Sequence, residues 1–201
     1  MIIKVGVTGG IGSGKSLVCS IFKFFGVPIY NADDRAKFLM VKNNELRSAL
    51  VDQFGKACYL PSGELNREYL SSIVFHDDEK LRILNALVHP VVQKDVSRWF
   101  SEQNSPYAIE EAALIFESGA YKYLDKVINV SAPVNLRLKR VHHRDGSSYR
   151  EIRSRMDKQF SDREKSRMAD HVILNNGRNS LISQVQNIHN KLMKLSVQSK
   201  R

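Results

Sequence analysis

Apolar positions in this chain fall into short unbroken runs, separated by stretches where they recur every three or four residues. Ile2–Val7, Val27–Tyr30, Tyr107–Leu114, Val127–Ser131 and His171–Leu174 are the unbroken runs. Runs of this length bounded by turn residues suit strands buried on both faces. From Lys15 to Phe25, Leu17, Val18, Ile21, Phe22 and Phe25 keep helical spacing. Pro133 suits the first turn of a later helix, and Asn175-Asn176-Gly177 marks a turn before the last one. Strand and helix in alternation predict an α/β fold: a five-stranded parallel sheet with helices on both faces.

Two segments break the rhythm. Residues 34–103 carry helical patterns and hardly a strand. Their stripe Leu81, Leu84, Leu87 and Val88 is expected to stop at His89-Pro90, because proline disfavours helix in the residue before it. Residues 136–168 form a second helical stretch with a turn-prone Asp145-Gly146 inside. The expected division is a nucleotide-binding core of 1–33, 104–135 and 169–201, a helical acceptor-binding insertion at 34–103, and a lid at 136–168. No internal repeat or low-complexity linker is visible.

Between the first strand and the first helix lies Gly9-Gly10-Ile11-Gly12-Ser13-Gly14-Lys15-Ser16, a complete G-x-x-x-x-G-K-[ST]. Glycines let successive main-chain N–H groups turn inward toward phosphate oxygens, and the following helix adds its positive end. Gly10, Ile11, Gly12, Ser13, Gly14, Lys15 and Ser16 are therefore the expected ATP-binding residues of a P-loop NTPase fold. Lys15 should reach the β- and γ-phosphates, and the Ser16 hydroxyl should ligate Mg²⁺.

Composition adds limits. The 201 residues, 42% hydrophobic and 26% charged, are those of an ordinary globular chain. No apolar run reaches the roughly 18 residues of a membrane helix. The start moves directly into a strand without the regions of a secretory signal. Cys19 and Cys58 are far apart and form no C-x-x-C pair. A cytoplasmic setting is the expectation. Net charge is +10, and residues 135–167 hold eleven Lys or Arg against five Asp or Glu. A solvated helix face with a basic tail ending in Lys200 and Arg201, nucleic-acid binding, and recognition of a small polyanion all fit that surplus. No recognisable nucleic-acid-binding motif accompanies it.

Other candidates follow from position. Asp33 and Asp34 follow the second strand, where one carboxylate can cap a helix and Asp33 could accept a proton from an attacking hydroxyl. Arg140 and Arg144 lie four apart on one helix face, suited to clamping phosphate or to plain surface charge. Glu110 and Glu111 faintly resemble a Walker B carboxylate. His89 reads as a capping or packing residue. His142-His143 lacks the partners and spacing of a metal site. Trp99 is most simply core.

Taken together, the chain resembles the dephospho-CoA kinase family over nearly its whole length. Thr8 to Ser16 resembles that family's opening, and Asn31-Ala32-Asp33 its Asp-Ala-Asp motif. Phe54-Gly55, Gly63 with Leu65-Asn66-Arg67, Phe75, and Leu87-Val88-His89-Pro90 are similar to its markers, in order. Ala113 to Glu117, Arg137-Leu138-Lys139-Arg140, Gln159, Lys165, Ala169-Asp170 and Asn175-Asn176-Gly177 complete the set. Two departures are Asn31 in place of the first aspartate and Leu17 after the Walker serine. The segment before Phe116 also lacks a proline.

The resemblance implies transfer of the ATP γ-phosphate to the 3′-hydroxyl of the dephospho-CoA ribose. It implies Asp33 as base or hydroxyl orienter, Arg140 as stabiliser of the transferring phosphoryl, Arg67 and His89 on the acceptor side, and Asn175 near the adenine. Its partners are ATP and dephospho-CoA, with Mg²⁺ as cofactor and no nucleic acid or membrane. The sequence leaves the oligomeric state open, and a monomer is compatible with it. The rivals are a kinase of nucleoside monophosphates on the same fold, and a nucleic-acid-binding ATPase.

Overall fold

The computed structural model describes residues 2–75 and 77–198; Lys200 and Arg201 lie outside them. The chain separates into two compact units, residues 1–31 with 99–201 and residues 32–98.

The larger unit holds the sheet: β1 (Ile3–Thr8), β2 (Ile29–Asn31), β3 (Tyr107–Glu111), β4 (Lys126–Ser131) and β5 (His171–Leu174). All pairs are parallel, in the order β2-β3-β1-β4-β5. Alternate residues sort to opposite faces, as strand geometry requires. Ile3, Val5 and Val7 of β1, Tyr107 and Ile109 of β3, and Ile128 and Val130 of β4 share one core. Helix α1 (Lys15–Phe24) contributes Val18, Cys19 and Phe22 to it, and the C-terminal helix (Leu181–Gln198) contributes Val185, Ile188 and Leu192. On the other face Ile115, Phe116, Val127 and Leu124 pack together, close enough to β1 that a side chain at Gly6 would collide with Leu124 and Ile115.

β3 ends earlier than its apolar run. The expectation extended it to Leu114, yet the last ladder bond is Ala112 N–H to Val7 C=O at 3.1 Å. Ala113 C=O instead accepts from Lys165 Nζ at 2.7 Å and Thr8 Oγ1 at 3.2 Å, so side chains replace the missing strand partner.

In the smaller unit, α2 (Ala32–Lys42), α3 (Asn44–Phe54), α4 (Arg67–Phe75) and most of α5 (Asp78–Ser101) surround Leu39, Leu46, Leu50, Phe54, Leu70 and Val88. Here the expected stop at His89-Pro90 is overturned: α5 runs through Pro90. The apolar stripe continues past it, with Leu84, Leu87, Val91 and Val92 all packed on that core. Burial on both sides of the proline outweighs one missing backbone bond.

Residues 134–168 form α6 (Val134–Asp145), α7 (Tyr149–Asp157) and α8 (Asp162–Met168), grouped with the sheet. Left-handed Gly146 closes α6 where Asp145-Gly146 predicted a break, and Ser148 and Ser161 open α7 and α8 with capping boxes. The C-terminal helix is α9. Among the described residues no helix is long and apolar enough to cross a membrane.

Candidate active site

The phosphate loop joins β1, the central strand, to α1, and so emerges at the carboxyl end of the sheet where ligands of open α/β sheets bind. Two glycines are fixed by what lies against them. Gly14 has φ +95°, and the Asn175 amide occupies the space a Cβ would need. Gly10 has an ordinary φ but carries the Arg137 guanidinium on its Cα: a Cβ there would sit 2.6 Å from Cζ and 2.9 Å from Nη1. Lys15 Nζ donates to Gly9 C=O at 3.1 Å, which places the ammonium beside the start of the loop.

Ser16 is exposed at the N-terminus of α1, and its hydroxyl donates to Glu111 Oε1 at 2.7 Å. Glu111 ends β3, is 6% exposed, and its other oxygen accepts from Asn31 Nδ2 at 3.4 Å. One turn along α1, burial and then the Glu111 carboxylate hold the Cys19 thiol well above its ordinary value, so it stays protonated. Glu110, one residue earlier, points to the opposite face and accepts from Tyr123 Oη at 3.0 and 3.1 Å. The sequence paired these two glutamates; the pleat separates them.

Helices α6 to α8 grip the loop at Ile11. Its N–H donates to Gln159 Oε1 at 2.9 Å, and its C=O accepts from Arg137 Nε at 2.9 Å. Its side chain packs with Leu138, Val141, Ile152 and Met156. Arg140 holds the far end of the loop, donating to Ser13 C=O at 3.5 Å and to Asn175 O and Oδ1 at 3.3 and 3.2 Å. Asn175 is buried and itself donates to Ser13 C=O at 2.8 Å, so it braces the loop directly. Of the two readings open for Arg140 and Arg144, the surface-charge one describes Arg144. Arg144 turns away to form a two-point ion pair with Asp145 at 2.6 and 2.9 Å.

Under these contacts lies a buried polar layer. Lys165 is fully buried, bonded to Ala113 C=O and to Glu117 Oε1 at 2.8 Å, and Glu117 also accepts from Phe160 N–H. Burial pulls the Lys165 ammonium below its ordinary value, and the Glu117 hydrogen bond opposes that. Asp162 of α8 accepts from Ser131 Oγ, and Ser166 of α8 from Asn129 Nδ2 at 2.9 Å. α8 is thereby fastened to β4.

In the smaller unit Asp33 is exposed in the first turn of α2, two residues past the end of β2. Arg67 is the exposed first residue of α4, following Asn66, whose Oδ1 caps Tyr69 N–H. His89 is half-buried on α5, its pKa lowered by burial. No hydrogen bond joins Arg67 to His89 among the described residues.

The model of the family described as "Dephospho-CoA kinase" matches residues 3–180. The chain belongs to the dephospho-CoA kinase family. Relatives named dephospho-CoA kinase include one from Porphyromonas gingivalis, 39% identical over 187 residues and 92% of each chain. Another, from Salinibacter ruber, is 39% identical over 86% of this chain and 88% of its own. Among solved structures, the dephospho-CoA kinase of Campylobacter jejuni superposes with TM-score 0.69 at 29% identity, covering 96% of this chain and 98% of its own. A Thermus thermophilus protein superposes with TM-score 0.83 at 31% identity over 94% and 97%. Shikimate kinase from Aquifex aeolicus, TM-score 0.52 at 16% identity over 97% and 99%, shares the fold.

The sequence offered Glu111 only as a faint Walker B resemblance, and Arg137 and Gln159 only as family markers without a role. Glu111 was legible in part, because it and Val7 occupy matching places at the ends of adjacent strands. Arg137 lies one turn before Arg140, a spacing that places both toward the loop.

Proposed function

We propose that this chain transfers the γ-phosphate of ATP to the 3′-hydroxyl of the dephospho-CoA ribose, giving CoA and ADP, the last step of coenzyme A biosynthesis. The observation that carries this reading is the phosphate loop with Glu111 on the Ser16 hydroxyl, in a chain that matches the dephospho-CoA kinase family over residues 3–180.

Main-chain N–H groups of residues 10–16 and the Lys15 ammonium would seat the triphosphate, with those of Ile11 and Ser13 exchanging Gln159 Oε1 and Gly10 C=O for phosphate oxygens. Ser16 and Glu111 would hold Mg²⁺, since a hydroxyl and one carboxylate are the oxygen donors this ion takes alongside water and phosphate. When bound, the ion neutralises charge on the β- and γ-oxygens. Asp33 orients the ribose hydroxyl and takes its proton as the new O–P bond forms and the β–γ bridge breaks, leaving ADP. Arg140, bonded to Ser13 C=O and to Asn175, would release those bonds to spread the charge of the transferring phosphoryl. Arg67 and His89 serve the acceptor, the loop at Asn175 the adenine, and residues 136–168 close as a lid over two polyanions that repel each other. The proposed division is a core, an acceptor-binding insertion at 34–103 and a lid at 136–168, whereas compactness alone divides the chain at 32–98.

The test offers dephospho-CoA and nucleoside monophosphates side by side with Mg-ATP and follows ADP release. Turnover with dephospho-CoA and little with the monophosphates is expected. The reverse preference would assign the acceptor site to a nucleoside monophosphate.

A further inference from the structure

We infer that Arg137 is a further phosphate-binding residue, which reads the γ-phosphate and makes the loop prefer ATP to ADP. The inference rests on the proposed nucleotide seat, and not on the identity of the acceptor.

Three observations place it there. Arg137 is 6% exposed, yet only one of its five N–H donors, the Nε group, has a hydrogen bond among the described residues, to Ile11 C=O. The guanidinium lies against Gly10, which has no side chain to hold it off. Third, the loop has a direction. Lys15, whose ammonium reaches the β- and γ-phosphates, sits at Gly9 C=O, so the γ end of the seat is the Gly9-Gly10 start. Arg140, by contrast, is bonded at the Ser13 and Asn175 end.

A planar guanidinium with unused donors suits two-point recognition of a phosphate group. Burial lowers the Arg137 pKa, and Asp162 opposes that electrostatically without taking up its donors. A purely structural arginine would need only its bond to Ile11. That role predicts equal effects on every nucleotide, whereas a γ-phosphate ligand predicts unequal ones.

The experiment compares Arg137→Met and Arg137→Lys with the parent chain by calorimetric titration of ADP and of the non-hydrolysable β,γ-imido analogue of ATP, both with Mg²⁺. Acceptor is absent, so an error in the acceptor assignment leaves the result untouched. Arg137→Met should weaken the imido analogue roughly 10- to 100-fold and ADP less than about 3-fold. Arg137→Lys keeps the buried charge and should fall between parent and Met for the analogue. ADP binding doubles as the check that the loop is folded. Equal loss for both nucleotides in the lysine variant, or no loss in either variant, would reduce Arg137 to a strap on Ile11 and overturn the inference.

Discussion

Replacing one carboxylate oxygen of Asp33 by an amide removes its capacity to take a proton and leaves its size unchanged. Asp33→Asn should therefore keep ATP affinity and lose roughly 10²–10⁴ in turnover; unaltered turnover would remove Asp33 from the base role. Glu111 gives a different signature. Its carboxylate sits on Ser16, so Glu111→Gln should raise the Mg²⁺ concentration for half-maximal rate by roughly 10- to 100-fold. Glu110→Gln should leave that concentration unchanged, because Glu110 faces Tyr123 on the other side of β3. A magnesium titration of ADP release distinguishes the two glutamates. The phosphate loop was legible in the sequence because main-chain geometry demands its glycines and lysine at fixed spacing. The roles of Gln159 and Arg137 were not, although both stand among the family markers, because their targets are the backbone N–H and C=O of Ile11, and a backbone partner leaves no trace in residue type.

Among the elements, those set by local physics were readable and those set by packing were not. β5 and the Gly146 break fall where periodicity and turn chemistry put them. α5 and the end of β3 do not. Pro90 is a strong local signal against helix, overruled by a stripe that is buried on both sides of it. Ala112 and Ala113 look like strand, but the ladder to β1 ends at the Ala112 N–H. The Lys165–Glu117 pair that replaces it joins α8 to the loop after β3, and this supports a test of its energetics. Lys165→Met strands the Glu117 carboxylate and should cost about 3–5 kcal/mol in denaturant unfolding. Adding Glu117→Gln removes the unpaired charge while keeping an acceptor for Phe160 N–H, so the double variant should recover more than half of that loss. Additive losses would mean the two groups are not coupled.

For the whole molecule, the buried titratable groups set the pH range of stability. Burial lowers the pKa of His89, His171 and His189 from 6.5 in the folded chain. Below pH 6.5 the unfolded chain binds more protons than the folded one, so these groups favour folding above 6.5 and their contribution falls as pH drops. Tyr107 and Tyr123 are pushed well above 10.0, first by burial, and Cys19 well above 9.0. For them the folded state holds the proton longer, so their contribution is complete below the ordinary values, begins to fall above 9 and 10, and goes on falling until pH passes the raised folded values. Both sets point the same way: a plateau between about pH 6.5 and 9, with a decline on each side. Calorimetric melting across that range should show a flat maximum and a falling Tm below 6.5, with proton uptake on unfolding of up to three groups. His189 contacts Tyr107 Oη at 2.7 Å and stacks on Phe25, so it links the histidine and tyrosine sets. His189→Gln should lower the acid-side proton uptake by up to one and leave the plateau in place. A Tm that keeps rising as pH falls below 6.5 would show that these histidines are stabilised, not opposed, in their charged form.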